Sequence, residues 1–581
     1  MRVLLLHPED SIDGGAWSRE RWDLIVDLGY ASRGTYADWS RLAKTKVVSI
    51  YEYAGQIEGY RWVNQIFELG RRRLLDRAGL DWWDILAMEK YQDLHTVYKF
   101  RQLQREVGTG RTEVAATRPH TSAAIGEQVL GGPLRLFGRE KSSTLNRMTR
   151  AFRSARNLRP GQISEIVLDK WDSDYRLRGY WAKDARANAQ EPCVLLPSAY
   201  SNVTRSVLAY AAQLPSRKFL LVITRKNASP SIVPANVKVV SLAAYVQAAA
   251  ATRNEATELK QEWAFFCEHM QEESADFRAA AKAGVWNYLP EHLEQGLHLR
   301  EAWTCLLQSE PVSGVLCGDD LNYHTRLPLI LAHRTGLSAV YCSHGALDGG
   351  FLFKTPYADS YLVKGEMERD YLQKAAAIAA DQIILSAPGP NRSVQQQSGE
   401  ALVFFSQPYE VIGGRAEAIY REIIPRLYSV ASASRRRLII KLHPFESKRV
   451  RQKVVKLALP ASKVDEVEIL EGVEAQSVIA RAWCGVTVDS SVAVECALSH
   501  VPFFLCGWLD LTGIGYLEQF ARYKVAHVLR TPEEIERIPA LVADYRPDPD
   551  ILQRLWREAD PNQLEEVMFG ARQARLKPCA C

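Results

Sequence analysis

The sequence of 581 residues has no run of the roughly 20 apolar residues that a helix needs to span a bilayer. The apolar run Val3–Leu6 is too short for the core of a signal peptide, and the acidic residues Glu9 and Asp10 follow it closely. Such a run is typical of a first β-strand. We therefore expect a cytoplasmic protein.

Signatures of metal and cofactor binding are also missing from the sequence. The ten cysteines are scattered and none forms a Cys-x-x-Cys pair, which argues against a zinc site and a disulfide framework. There is neither a Gly-x-Gly-x-x-Gly sequence nor a phosphate-binding loop with its lysine, which argues against dinucleotide and ATP enzymes. No cluster of carboxylates suggests a divalent cation. We expect neither a metal nor a cofactor.

Charge of one sign is not in excess, since 73 basic and 68 acidic residues leave a formal net charge of +5. This balance argues against a nucleic-acid partner. The arginine clusters Arg71–Arg73 and Arg435–Arg437 lie beside apolar runs, and solvated ends of helices or strands explain them. The alternative, that they attract the chain to an anionic surface as a peripheral inner-membrane protein, stays open.

What the sequence does contain is an alternation of short apolar runs with helical patterns, which is typical of a parallel α/β sheet. Ile85–Met88 is among the predicted strands. The alternation is lost between residues 105 and 161, where we expect a loop or helical insertion, and a stretch rich in Pro, Gly and Gln at 387–399 indicates a linker. The prediction is an α/β protein with two Rossmann-like domains and a cleft between them: 1–390 with the insertion at about 105–161, then 395–560, then a tail at 561–581.

In open parallel sheets, ligands bind beyond the carboxyl ends of the strands, so polar residues at those ends matter most. A strand predicted at Leu438–Leu442 contains Lys441 and leads into His443 and Pro444. The proline keeps His443 out of the helical conformation. A histidine held in this way can donate to a phosphate or help it leave, although a histidine that merely caps or packs is the alternative.

A second strand runs into Asp489, Ser490 and Ser491 at the start of a predicted helix. The free N–H groups and partial positive charge of a helix start favour a phosphate there, and two hydroxyls add donors. Glu495 lies one turn further on and is placed to bond ribose hydroxyls, whereas a simple helix cap would need neither the second serine nor Glu495. A third loop, with Ser406 and Gln407, is a candidate contact for phosphate or base.

The first half contributes His344, which stands beside Gly345 after a predicted strand and can therefore face a cleft. It is a candidate base for an acceptor hydroxyl, or a donor to the phosphate. Asp319 and Asp320 follow the strand Gly314–Cys317 and are alternative bases. They do not form the Asp-x-Asp pattern of metal-dependent transferases. Helix caps for the aspartates and a turn position for the histidine are the structural alternatives.

The order of these motifs, His344-Gly345, His443-Pro444 and Ser490-Ser491 with Glu495, resembles a loose group of bacterial surface-glycan transferases with the GT-B fold. The group includes capsular polysialyltransferases, Kdo transferases and CDP-glycerol glycerophosphotransferases. The resemblance covers roughly residues 310 to 510. It implies a metal-independent glycosyltransferase that moves a sugar, sialic acid or Kdo, from a cytidine-nucleotide donor to a glycan or lipid-linked glycan acceptor.

By the same resemblance, His443, Ser490 and Ser491 would bind the donor phosphate. The placement of Lys441, Pro444, Glu495, Ser406 and Gln407 at strand ends makes them further candidates for holding the donor in the C-terminal domain. His344 would lie at the reacting centre, and the N-terminal domain would bind the acceptor. The motifs are also similar to those of UDP-N-acetylglucosamine 2-epimerases, but Ser490-Ser491 replaces an expected Ser-Gly-Gly and one glutamate stands where two are expected. A non-catalytic GT-B scaffold subunit is the third alternative.

Overall fold

The computed structural model describes residues 1–108, 112–138, 186–225, 228, 230, 232–246, 250–343, 354–388, 399–410, 412–509, 516–546 and 548–570. Their apolar strands pair in three sheets, and every strand pair in them is parallel. Parallel sheets carry helices on both faces, so their strands are buried throughout. Val3–Leu6, Val194–Leu196 and Leu402–Phe404 accordingly have no exposed surface. The α/β class with parallel Rossmann-like sheets is confirmed.

The first sheet has the strand order β3-β2-β1-β4-β5. It contradicts two expectations. Residues 113–136, placed by the sequence in an insertion, supply two of its strands, and the predicted strand Ile85–Met88 belongs to a buried helical segment. The elements are β1 (Arg2–Leu6), β2 (Leu24–Asp27), α1 (Arg33–Ala43), β3 (Lys46–Ser49), α2 (Gln56–Gly70), α3 (Trp82–Leu86), α4 (Tyr91–Val107), β4 (Glu113–Ala116), α5 (Thr121–Leu130) and β5 (Leu134–Leu136).

The second sheet has seven strands in the order β12-β11-β10-β9-β6-β7-β8. Two long helices, of 24 and 21 residues, lie between its strands β8 and β9. The elements are β6 (Cys193–Ser198), α6 (Ser201–Ala211), β7 (Lys218–Ile223), β8 (Val237–Ser241), α7 (Ala250–Glu273), α8 (Ala275–Lys282), α9 (Leu289–Ser309), β9 (Val312–Cys317), α10 (Tyr323–Thr335), β10 (Ser338–Cys342), β11 (Ser360–Val363), α11 (Glu366–Ala375) and β12 (Ile383–Leu385).

The third sheet has the order β15-β14-β13-β16-β17-β18, and its strand β14 lies within one residue of the predicted Leu438–Leu442. Its elements, with the helices that end the described chain, are β13 (Ala401–Phe405), α12 (Ala416–Ala433), β14 (Arg437–Lys441), α13 (Lys448–Ala458), α14 (Ala461–Val464), β15 (Val467–Leu470), α15 (Ala475–Ile479), β16 (Ala482–Thr487), α16 (Val492–Leu498), β17 (Phe503–Cys506), α17 (Tyr516–Arg522), β18 (His527–Leu529), α18 (Ile538–Ala543), α19 (Pro549–Leu555) and α20 (Pro561–Phe569).

Helix α20 corrects a further expectation, because the sequence places residues 561–581 in a tail. Leu564 and Met568 on this helix are fully buried in the core of the second sheet. The Ser338 hydroxyl also donates to the Val567 carbonyl at 2.5 Å. The chain thus returns from the third sheet to close the second. Residues 571–581 lie outside the described part.

The first and third sheets are tied together by Arg415, which is 8% exposed. Its guanidinium pairs with both carboxylate oxygens of Asp27 at 2.6 and 2.7 Å. Tyr30 and Gly414 form a parallel β-bridge beside this pair. In the described residues, no helix is both long enough and apolar enough to cross a membrane.

Candidate active site

Three loops meet at the carboxyl edge of the third sheet, the edge where its strands end. They follow β14, β13 and β16, which are neighbours in the sheet. Parallel neighbours end on the same side, so the loops that begin near His443, Ser406 and Asp489 lie together. The structure therefore brings together the three loops singled out in the sequence.

Glu446, to which the sequence analysis gave no role, organises two of these loops. Its Oε1 lies 2.8 Å from the Ser406 hydroxyl and accepts from Arg451 Nε at 2.6 Å, and its Oε2 accepts from the His443 N–H at 2.7 Å. The Ser406 hydroxyl also lies 2.7 Å from that of Tyr420, and the serine is 5% exposed. Ser406 therefore belongs to a buried network of protein groups, and its predicted contact with the nucleotide-sugar donor is not needed to explain its position.

The side chain of Gln407 likewise bonds to another part of the protein. Its side-chain carbonyl accepts from the Asp489 N–H at 3.1 Å, and its Nε2 donates to the Asp489 carbonyl. The amide thus bonds both polar groups of one backbone residue. Gln407 therefore fixes the loop that carries Ser490 and Ser491, and its contact with the donor stays a prediction.

His443 is half-buried and has a defined ring state. Its Nδ1 accepts the Phe445 N–H at 3.3 Å, so the neutral ring carries its proton on Nε2. Burial lowers the pKa of His443, and the charge of Lys441 lowers it further. A neutral imidazole with an Nε2–H is a hydrogen-bond donor suited to a phosphate oxygen.

The two serines are largely unused by the helix they precede. Ser491 immediately precedes α16, and its side chain makes no capping hydrogen bond to that helix. The Ser490 hydroxyl accepts from the Val492 N–H at a long 3.4 Å. Helix capping therefore does not explain this pair of hydroxyls, and both remain suitable donors for a ligand.

Glu495 shows that the second sheet faces these loops. Burial raises the pKa of Glu495, while the charges of Lys364, Arg205 and Lys441 act to lower it. Lys364 follows β11 and Arg205 lies on α6, so both come from the second sheet. Arg205 also pairs with Glu474 of the third sheet at 3.7 Å. We call the space bounded by Arg205, Lys364, Lys441, Ser491 and Glu495 the intersheet site.

Lys441 and Glu495 have further partners within the third sheet. The Lys441 ammonium donates to the Leu442 carbonyl at 2.8 Å, and burial lowers its pKa. The Glu495 carboxylate accepts from Gln476 Nε2 at 3.2 Å. Neither Lys364 nor Arg205 could be identified from the sequence, because a lysine after a strand and an arginine on a helix have no local signature.

Asp319 and Asp320 are buried, being 8% and 1% exposed. The Asp319 carboxylate accepts from the Leu321 N–H at 3.0 Å and from Asn322 Nδ2 at 2.5 Å, so it stabilises the turn before α10 and does not form the helix cap weighed as its alternative. Asp320 pairs with Lys354 Nζ at 2.5 Å and lies 3.8 Å from Arg326 Nη1. Asp319 is thus bonded within its turn and Asp320 is enclosed beside two cations, which does not favour either as the acceptor base.

His344 lies outside the described residues, as does Gly345. The strand before it, β10, ends at Cys342 beside β11, which precedes Lys364. Its assignment as the base stays a prediction.

No protein-family model matches the sequence, and no curated protein matches it. Solved structures that it is similar to include a UDP-GlcNAc 2-epimerase from Neisseria meningitidis bound to UDP-GlcNAc (11% identity, 65% of this chain and 97% of that one, TM-score 0.40). A second similar structure is a variant of the wall teichoic acid polymerase TagF, with 10% identity over 72% of this chain and 96% of that one and a TM-score of 0.38. A third is a glycosyltransferase of kitacinnamycin, with 13% identity over 66% of this chain and 96% of that one and a TM-score of 0.38. At these scores the likenesses carry no argument about activity.

Proposed function

We propose that the protein is a GT-B glycosyltransferase that takes a sugar from a nucleotide donor bound in the intersheet site. The observation that carries this proposal is the meeting of cations from the second sheet with hydroxyls and an imidazole from the third. Such a set suits a phosphate group, because charge and directed N–H and O–H donors act on the same oxygens.

In this proposal, Nε2–H of His443 and the hydroxyls of Ser490 and Ser491 bond the donor phosphate. Lys364, Lys441 and Arg205 neutralise the charge that grows on the phosphate as the bond to the sugar breaks. Glu495 is free to accept from a ribose hydroxyl through the oxygen that Gln476 does not use. The acceptor oxygen attacks the sugar carbon directly, and its proton passes to His344, the predicted base.

Asp320 acts as a positioning residue in this scheme. Lys354 and Thr355 directly follow the segment that carries His344. Asp320 pairs with Lys354, and the Thr355 hydroxyl donates to Asp84 at 2.7 Å. The buried carboxylates Asp320 and Asp84 therefore fix Lys354 and Thr355, the residues that follow this segment.

The identity of the donor rests on the resemblance of the motifs. We propose a cytidine nucleotide carrying sialic acid or Kdo, and a glycan or lipid-linked glycan of the bacterial surface as acceptor. The decisive measurement is calorimetric titration of the full chain with CMP, CDP and UDP. Saturable binding of CMP supports the cytidine proposal, and binding of UDP with no CMP binding overturns it while leaving the transferase proposal intact.

Two variants test the site itself. Ser491→Ala removes a hydroxyl that caps nothing, and His443→Asn keeps an acceptor for the Phe445 N–H while removing Nε2. Each should weaken nucleotide binding about tenfold, the effect of losing one hydrogen bond to a charged group. Ser432→Ala is the control, since this exposed serine lies near the amino end of β14.

The outcomes separate the three candidate functions. Nucleotide binding with sugar transfer only in the presence of an acceptor supports the transferase. Conversion of a UDP-sugar without any acceptor would indicate an epimerase. Absence of binding to all three nucleotides would sink the proposal and leave a scaffold subunit.

A further inference from the structure

The first sheet, which the sequence did not separate from the second, has its own ligand crevice by topology. Its strand order is β3-β2-β1-β4-β5, so the chain leaves β1 toward one side and enters β4 on the other. Loops that diverge in this way open a crevice at the carboxyl edge between the two strands. The loops here are His7–Asp10 after β1 and Thr117–His120 after β4, and the His7 N–H donates to the Thr117 hydroxyl at 2.9 Å.

The chain itself fills the neighbouring part of this edge, between β1 and β2. Arg415 donates to the carbonyls of His7, Pro8 and Asp10 at 2.9, 2.9 and 2.7 Å, in addition to its pair with Asp27. The loop after β1 is thereby held in one conformation by a residue from the third sheet. Rigid support of this kind is what a binding site needs.

Two imidazoles meet on the other side, between β1 and β4. The rings of His7 and His120 are 5.2 Å apart, edge to face. His7 Nδ1 accepts the Glu9 N–H and His120 Nδ1 accepts the Ser122 N–H, both at 3.1 Å. Each neutral ring therefore carries its proton on Nε2, and among the described residues neither Nε2 has a hydrogen-bond partner. Loss of solvent contact lowers the pKa of both rings, which favours their neutral form.

A buried carboxylate oxygen without a partner lies in the same loop. Asp10 is 6% exposed, and its Oδ1 pairs with Arg118, which also pairs with Glu9 at 2.8 Å. Its Oδ2 has no hydrogen-bond partner in the described part of the chain. Buried polar atoms are nearly always bonded, so this oxygen keeps the capacity to accept a hydrogen bond that the described residues do not supply.

We propose that this crevice binds the hydroxyl groups of an uncharged carbohydrate through Nε2 of His7 and His120 and Oδ2 of Asp10. The charges decide between sugar hydroxyls and an anion. Glu9, Asp10 and Asp27 outnumber Arg118 and Arg415, so the edge carries a net negative charge that opposes phosphate or carboxylate. Neutral N–H donors together with a carboxylate acceptor match hydroxyls, which both donate and accept.

The crevice thus gives the proposed transferase a site for its acceptor glycan. Only this role as an acceptor site rests on the proposed function; the binding of carbohydrate does not. The variants that test it are His7→Asn and His120→Asn. Asparagine keeps an acceptor near the Nδ1 position and is a good residue before a helix, but it removes Nε2. His527→Asn is the control, because His527 begins β18 on the third sheet.

The probes are neutral trisaccharides of glucose, galactose and N-acetylglucosamine. Saturation-transfer NMR measures their binding to the full chain. The wild-type protein should bind at least one of them saturably, and His7→Asn and His120→Asn should each weaken this binding about tenfold. Ser491→Ala should leave it unchanged. Inorganic pyrophosphate should not compete for the crevice.

Absence of binding to every trisaccharide overturns the inference, as does binding that both histidine variants leave unchanged. Competition by pyrophosphate that depends on His120 would also overturn it, since the site would then be an anion site. CMP titration of the same proteins separates the two proposals. Trisaccharide binding without nucleotide binding sinks the proposed function alone, and the reverse result sinks only this inference.

Discussion

At the scale of single residues, Lys99 on α4 is the most unusual charged side chain outside the intersheet site. It is 5% exposed, and its ammonium lies 3.7 Å above the ring of Tyr51. Burial lowers the pKa of Lys99 from 10.5 to about 7. The attraction between a cation and an aromatic face favours the charged form of the lysine, but here it is smaller than the cost of removing the ammonium from water.

This gives a prediction with a definite sign. Between pH 7 and 10.5 the unfolded chain keeps the Lys99 proton and the folded chain does not, so the stability of the fold rises with pH. Lys99→Met should remove that rise, which amounts to at most about 1.4 kcal/mol per pH unit. Urea titrations at pH 7, 8 and 9 measure this rise as the difference in the free energy of unfolding between the wild type and Lys99→Met. The exposed Lys218→Met is the control, and a difference that stays constant with pH would contradict the assignment.

The neighbouring residues of the intersheet site show why residue type alone did not decide every role. Ser406 and Ser491 both follow strands of the same sheet, yet the first bonds Tyr420 and Glu446 and the second caps nothing. Nothing local distinguishes them. The partner of Ser406 comes from 40 residues further along the chain.

At the scale of elements, α20 makes a testable contribution to the second sheet. Leu564 is fully buried there. Leu564→Ala should lower the free energy of unfolding by about 2–5 kcal/mol, the usual cost of the cavity it leaves. Guanidinium titration of the full chain measures this, with the exposed neighbour Gln563→Ala as control. Equal stability of the two variants would mean that α20 does not pack as described.

The strand β14 of the third sheet lies within one residue of its predicted position, whereas residues 85–88 and 113–136 of the first sheet differ from their prediction. The predicted bounds of β14 are Leu438–Leu442, and the observed bounds are Arg437–Lys441. Residues 113–136 contain strands of only four and three residues, among polar and glycine-containing turns. Runs this short fall below what periodicity can resolve. The apolar run at 85–88 also fits a strand or a buried helix equally well.

At the scale of the whole molecule, Arg415 joins the first sheet to the third. Arg415→Met should leave the buried Asp27 carboxylate without its cation and cost about 3–5 kcal/mol. Hydrogen exchange should then rise around both Asp27 and Gly414, since the bridge between Tyr30 and Gly414 depends on the same contact. Adding Asp27→Asn to this variant should restore part of the stability. Unchanged exchange in the single variant would contradict a structural role for the pair.

The sequence by itself determined the α/β class, most strands of the second and third sheets, and the position of His443, Ser490 and Ser491 at one edge. It could do so because strand, turn and helix signals are local, and because parallel strands must end on the same side. Only the tertiary structure decided that there are three sheets, that the charges of Arg205 and Lys364 act on Glu495, and that Asp320 is enclosed. These facts depend on contacts between residues far apart in the chain, which packing fixes and local pattern does not record.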